Sequence, residues 1–249
     1  PCRRAGNVGQ HARMDAFVIQ GGRPLRGRAR VHGSKNASLP LMAASLLTDE
    51  PITLRDVPNL SDIRNQAKLL GQLGVRAETG EQDPRTRTLQ VEDETRSRAA
   101  YEIVRTMRAG ICVLGPLLSK RGEATVSMPG GCAIGDRPVD LHLRGLRALG
   151  AEIELDQGYI VARAPGGRLR GAHVFLGGPN GSTVLGTANV LSAAVLAEGT
   201  TVIESAACEP EVEDLAALLT KMGAKIEGAG SPVIRVEGVE ALGGAKHPV

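Results

Sequence analysis

The sequence predicts an α/β fold of three similar subdomains, and three observations carry that expectation. Helical patches recur as "LLGQLGVRAE" (69–78), "LRGLRALGAEIE" (143–154) and "LAALLTKMGAKIE" (215–227), each with a closing glycine followed by an alternating, strand-like run. The closing glycines, Gly74, Gly150 and Gly223, are spaced by 76 and 73 residues, which marks an internal repeat. Upstream of each patch lies a second, more apolar helix and then a strand. Helix, strand, helix, strand in every copy is the alternation of an α/β protein.

Taken in order, the first copy reads "LPLMAASLLTDE" (39–50) then "PITLRDVP" (51–58). The second reads "YEIVRTMRAGICVLGPLLSKRG" (101–122) then "EATVSMPG" (123–130), and the third "TANVLSAAVLAEG" (187–199) then "TTVIESAACEP" (200–210). Apolar residues cover most of the first helix in each copy, which places those helices in the middle of the molecule. The second helices are amphipathic, with Arg, Lys and Glu along one side, and are expected to face solvent. Residues 14–33, "MDAFVIQGGRPLRGRARVHG", read as two short strands around a Gly/Pro turn. Residues 1–13 read as an unstructured extension and "EALGGAKHPV" (240–249) as a linker.

Composition narrows the function. With 249 residues and 42% apolar content the chain can bury a sizeable core. Its longest apolar run, "ICVLGPLL" (111–118), is far short of the roughly 20 residues a bilayer span requires, and its start lacks the apolar centre of a signal peptide. A cytoplasmic protein is expected. Cys2, Cys112, Cys132 and Cys208 are widely spaced, with no CxxC pair and no adjoining His cluster, so free thiols and no metal are expected. A net charge of +3 suits anionic substrates, but two Phe, two Tyr and no Trp make base-stacking platforms an unsuitable reading. No nucleic-acid or membrane partner follows from this composition.

Aligning the copies at their strand ends sets Pro58–Asp62 and Pro210–Asp214, four apart, against Pro129–Asp140, eleven apart. Seven residues have been inserted in the middle copy, and they contain Cys132. A longer surface loop costs closure entropy and buries little, so function is the reason to keep it. Its glycines let backbone N–H groups approach a ligand, and Arg137 offers a fork suited to phosphate or carboxylate. A thiol in such surroundings has a lowered pKa. The competing reading is a partly exposed cysteine in a plain hairpin.

Three further stretches are candidates. In "GSKNASLP" (33–40), Ser34, Asn36 or Ser38 can cap a helix and Pro40 suits its first turn. Lys35 there is a cation at a helix N-terminus, which the helix dipole disfavours unless an anion intervenes; an anionic ligand would resolve the conflict, and a solvated lysine is the simpler alternative. "GGPNGSTVLGTANVL" (177–191) could cradle a phosphate at a helix start, or be an ordinary capped loop. Arg108 interrupts an apolar helix, either reaching for the surface or pointing at an anion.

"GSKNAS", "TMRAGICVLGPLL", "PGGCAIGDRPVDLHLRGLRALGA" and "AEGTTVIESAACEPEVEDLAALLTKMGA" together resemble the enolpyruvyl transferases, and within them the branch acting on UDP-N-acetylglucosamine. The resemblance runs from about Met14 to Gly244. It implies an inside-out α/β barrel whose subdomains are βαβαββ-like with apolar helices at the centre. Residues 35–241 would form domain one, with repeats at about 35–100, 101–170 and 171–241. Residues 14–34 would belong to a second domain otherwise outside this chain, and 242–249 would be the interdomain tail.

The implied reaction moves the enolpyruvyl group of phosphoenolpyruvate to the 3′-hydroxyl of UDP-N-acetylglucosamine, without cofactor or metal. The resemblance makes Cys132 the general acid toward C3 of phosphoenolpyruvate. Lys35, Asn36 and Arg137 would hold that substrate, with Lys35 and Arg137 counted as catalytic. Arg108, Arg137, Pro138, Val139, Asp140 and Leu141 would hold the UDP-sugar, together with Thr183, Val184 and Leu185. The general base would lie in the second domain, so a fragment without turnover is expected. The rival readings are the sister enzyme acting on shikimate 3-phosphate, which lacks the PGGC loop, and a non-catalytic UDP-sugar-binding module.

Overall fold

The structure is a computed structural model that describes residues 3–4, 17–24, 26–130 and 139–249. The chain divides into two units, 1–31 and 32–249. In the first, β1 (Arg3–Arg4) pairs antiparallel with β2 (Phe17–Val18), so residues 1–13 contain a strand where an extension without structure was expected. The described residues 19–24 and 26–31 form no second strand of the expected turn. Gly22 and Gly27, at φ 91° and 148°, leave the β region there.

In the second unit each copy pairs an inner, largely covered helix with an outer one. The first contributes α1 (Lys35–Ala43), continued by a 3₁₀ turn Ala44–Leu47, then β3 (Ile52–Arg55), α2 (Ser61–Gln72), the hairpin β4 (Val75–Thr79) and β5 (Arg87–Val91), and β6 (Arg98–Ala99). The second contributes α3 (Tyr101–Val104), a 3₁₀ turn Arg108–Val113, α4 (Leu114–Arg121), β7 (Glu123–Ser127), α5 (Asp140–Ala148), β8 (Glu152–Asp156), β9 (Tyr159–Arg163) and β10 (His173–Phe175). The third contributes α6 (Val184–Ala194), β11 (Thr200–Glu204), α7 (Pro210–Lys221), β12 (Lys225–Glu227), β13 (Val233–Glu237) and β14 (Ala245–Pro248).

The strands of this unit form three sheets with one topology, β14-β3-β5-β4, β6-β7-β9-β8 and β10-β11-β13-β12. In each, the edge strand comes from the preceding copy and runs parallel to the first strand of its new sheet, so the copies interlock in a ring. β14 completes that ring, pairing Ala245 with Ile52 through to Pro248 with Arg55. The segment 242–249, expected as a linker, therefore contains a structural strand. "AKHP" carries no alternating apolar signal, and its place is decided by partners far away in sequence. His247, buried, has Nε2 2.7 Å from Asp214 Oδ1 and Nδ1 3.0 Å from Lys221 Nζ, which ties β14 to α7.

The division into central and outer helices follows the apolar pattern. Every residue from Ala37 to Leu47 is buried, as is every residue from Gly186 to Ala194. The outer helices bury one stripe each: Ile63, Leu69 and Leu70 on α2, Leu143 and Leu146 on α5, Val212, Leu215, Leu218 and Leu219 on α7. Burying a single such Leu stabilises by about 2 kcal/mol. Gly74, Gly150 and Gly223 end these helices at φ 80°, 89° and 108°, the left-handed turn that the repeat spacing required.

One helix departs from expectation. The stretch 101–122 is broken into α3, a 3₁₀ turn and α4. Pro116 has no N–H to continue a helix from upstream and suits the first turn of α4 instead. Thr106 Oγ1 donates to the Ile103 carbonyl at 2.7 Å, closing α3. Arg108 thus stands at the start of a turn and does not interrupt a helix.

Candidate functional site

Two adjoining hollows of about 410 Å³ each open at the ends of these helices. They share Arg108, Val184 and Leu185 as a common wall. Their linings draw on the starts of all three copies: Lys35 and Asn36 from α1, Arg108 and Ala109 from the turn before α4, Val184 and Leu185 from α6. The outer helices contribute their first turns too, with Asp62 from α2, Glu211 from α7, and Asp140, Leu141 and His142 from α5. Helix N-termini carry unpaired N–H groups and a positive dipole end, so this convergence favours an anion. Lys35, Arg105 and Arg108 add positive charge there, against the carboxylates of Asp62, Glu211 and Asp140.

The first hollow is built on α1. Ser34 caps it, its Oγ accepting from the Ala37 N–H at 3.3 Å. Pro40 falls at the sixth helical position rather than in the first turn, so the Asn36 carbonyl lacks its usual helical donor. Lys35 Nζ lies 2.9 Å from Asp62 Oδ2. The dipole conflict at Lys35 is therefore answered within the chain by a carboxylate, and an anionic ligand is not needed to explain the lysine. With 42% and 31% of the two side chains exposed, the pair is worth only about 0–1 kcal/mol, so an anion of higher charge can displace Asp62.

The second hollow adds Asp140, Leu141, Thr183 and the turn 178–181. Gly178 and Gly181 exchange backbone hydrogen bonds of 2.9 and 3.0 Å, holding that turn closed. Thr183 caps α6, with Oγ1 accepting from the Gly186 N–H at 3.2 Å, so the capped-loop reading and the position beside the hollow are both realised. Val139 is buried beneath the start of α5.

Loop lengths bear on the inserted segment. Five residues join β3 to α2 (56–60) and five join β11 to α7 (205–209), whereas twelve join β7 to α5 (128–139). The middle copy is seven residues longer, as the alignment indicates. Cys132, Arg137 and Pro138 lie outside the described residues. The described roots of the loop reach both hollows: Gly130 borders the first and Asp140 the second. At Gly130 a Cβ would overlap the Arg105 carbonyl oxygen, so glycine lets the chain pass there.

Asp62, Glu211, Arg105 and His142 also line the hollows, and sequence reasoning does not single them out. His142 sits in the quoted "VDLHL" run and is buried. Burial, then the nearby Arg108 guanidinium, push its pKa down to about 4, against a smaller opposing pull from Asp140. The native chain thus prefers the neutral ring, whereas the unfolded chain protonates near pH 6.5. Stability contributed above pH 6.5 is lost as pH falls toward 4, by about 1.4 kcal/mol per unit. Denaturant titrations of the wild type and His142→Gln across this window are expected to differ by that slope; parallel profiles would contradict it.

Burial likewise pushes the Cys112 thiol up to about 12, with Arg108 opposing weakly. Cys208 is exposed. Iodoacetamide at mildly alkaline pH is expected to label Cys208 in the native chain and Cys112 only after unfolding, as read by peptide mass spectrometry. Early labelling of Cys112 would show that its environment is open.

A sequence model of the EPSP synthase (3-phosphoshikimate 1-carboxyvinyltransferase) family matches residues 19–249. Proteins named UDP-N-acetylglucosamine 1-carboxyvinyltransferase from Akkermansia muciniphila and Paracoccus denitrificans are 53% and 55% identical over 236 residues, 95% of this chain. The chain spans about half of their length, 54% in both cases. Among solved structures, the enolpyruvyl transferase NikO from Streptomyces tendae matches with a TM-score of 0.78 at 21% identity, over 93% of this chain and 53% of that one. An EPSP synthase from Acinetobacter baumannii matches at 0.69 and 17%, over 90% and 49%. These two share the inside-out α/β fold. The ring of interlocked sheets, the helix starts gathered at one cleft and a family match along nearly the whole chain agree: this chain belongs to the EPSP synthase family of enolpyruvyl transferases.

Proposed function

We propose that the chain supplies the first half of an enzyme that transfers the enolpyruvyl group of phosphoenolpyruvate to the 3′-hydroxyl of UDP-N-acetylglucosamine. That reaction opens peptidoglycan precursor synthesis in the cytoplasm. The observation that carries the reading is the gathering of helix N-termini, Lys35 and Arg108 around two joined hollows, one for each anionic substrate. The identity to relatives named for UDP-N-acetylglucosamine favours this substrate over shikimate 3-phosphate.

In this reading the 3′-oxygen attacks C2 of phosphoenolpyruvate while C3 gains a proton, giving a phospholactoyl-type adduct. Loss of a proton from the C3 methyl group and cleavage of the C2–O bond to the phosphate then release phosphate and restore the double bond. Lys35 and Asn36 bind phosphoenolpyruvate with Arg137, and Lys35 and Arg137 stabilise charge on the departing phosphate. Cys132 exchanges the C3 proton. Arg108, the run 137–141 and Thr183 to Leu185 hold the UDP-sugar. We assign residues 32–249 to the first domain, including β14, and the base that deprotonates the 3′-hydroxyl to the half of the relatives' length that this chain does not span.

Calorimetric titration of the chain with UDP-N-acetylglucosamine, with and without phosphoenolpyruvate, tests the binding. Shikimate 3-phosphate serves as the competing ligand, and tighter binding of it would overturn the substrate assignment. Fosfomycin is expected to add its mass to Cys132, with protection by UDP-N-acetylglucosamine. Phosphate release by the chain alone at the rate of a full-length relative would sink the placement of the base.

A further inference from the structure

His142 is the third residue of α5, and only 2% of its surface is exposed. Its Nδ1 lies 2.8 Å from Nδ2 of Asn189, which is itself fully buried in the middle of α6. The orientation of that amide is set by two other bonds. Asn189 Oδ1 accepts from the Gly115 N–H, and Nδ2 donates to the Ile111 carbonyl, each at 2.9 Å. Turning the amide over would set donor against donor and acceptor against acceptor. Nδ2 can therefore only donate to His142, so Nδ1 holds a lone pair and the neutral ring carries its proton on Nε2. Nε2 has no hydrogen-bond partner among the described residues, and His142 borders the second hollow beside Arg108 and Asp140.

We propose that Asn189 is a positioning residue, holding His142 so that its Nε2–H is presented as an uncharged donor to an oxygen acceptor of the ligand in the second hollow. The inference rests on the UDP-sugar reading of that hollow and adds the class of atom met there, a phosphoryl or carbonyl oxygen. Arg108 supplies charge to the same space, and a neutral donor adds direction without a second cation. A ligand presenting a donor at this point would face an N–H that cannot turn away, because Asn189 leaves the ring no alternative tautomer.

Two substitutions separate this role from packing. His142→Asn keeps an amide near the Nδ1 position, within reach of Asn189, but removes the outer donor. His142→Gln extends a donor amide to the position of Nε2. In titrations of the chain, UDP-N-acetylglucosamine is expected to bind about tenfold more weakly to His142→Asn and within about threefold of wild type to His142→Gln. A purely structural histidine would give the opposite order. Histidine ¹⁵N spectra of the free chain are expected to show the Nε2–H tautomer, with Nε2 shifting on ligand addition. An Nδ1–H signal, or wild-type affinity in His142→Asn, overturns the proposal while leaving the hollow's reading intact. Failure of the wild-type chain to bind, with the Nε2–H tautomer present, overturns that reading and the ligand role of His142 with it.

Discussion

Lys35→Met is expected to lower enolpyruvyl transfer by roughly 10²–10³-fold, the usual loss when a charged or hydrogen-bonding group at a developing anion is removed. The assay is phosphate release from a chimaera in which this chain is continued by the remaining half of the Paracoccus denitrificans relative. The expectation follows from the place of Lys35 at the start of α1, on the wall of the first hollow, with Asp62 as its counter-ion. That pair is too exposed to matter for stability, so the variant should unfold at nearly the wild-type denaturant concentration. Asp62→Asn makes the complementary case. Freed of its carboxylate, Lys35 should bind phosphoenolpyruvate more tightly in the unextended chain. Unchanged turnover in Lys35→Met would remove the lysine from the chemistry and leave it a solvated residue beside a helix cap.

Asn189→Leu is expected to destabilise the chain on the order of 4 kcal/mol, from two buried groups each costing about 1–3 kcal/mol when left unpaired. The Gly115 N–H and His142 Nδ1 lose their partner at once, while the Ile111 carbonyl keeps the Leu114 N–H as a donor. Small domains have only about 5–15 kcal/mol to lose, so the variant should melt early or fail to fold. Thr201→Val supplies the contrast. Thr201 is fully buried and its Oγ1 has no partner among the described residues, so a methyl of the same shape should be neutral or stabilising by about 1 kcal/mol. Urea titrations of the two variants read both effects, and equal midpoints would show that the Asn189 network contributes nothing net.

Much of the lining of the two hollows, the candidate site, is legible in the amino-acid sequence. Lys35, Asn36, Arg108, Asp140, Leu141 and Thr183 to Leu185 lie far apart along the chain, yet all border the two hollows. They can be found because each sits at or beside the start of a helix or helical turn, and helix starts are announced locally by caps, prolines and glycines. Asp62 cannot be found that way, because nothing in "NLSD" says that its carboxylate meets a lysine of another helix. Asn189 hides inside an apolar stretch, although a lone amide in a fully buried helix is itself a signal that partners exist.

The sequence by itself determined the threefold repeat, the central and outer helices, their glycine stops and the seven-residue enlargement of the middle copy. All of these depend on residues within a turn or two of one another, where periodicity and backbone conformation act. Tertiary structure alone decided the crossing strands β6, β10 and β14, the break before α4, the Lys35–Asp62 pair and the Asn189 amide that orients His142. Each of those depends on hydrogen bonds or charges contributed by another copy or another helix. Such partners leave no local pattern because the energy that selects them exists only once the chain has closed.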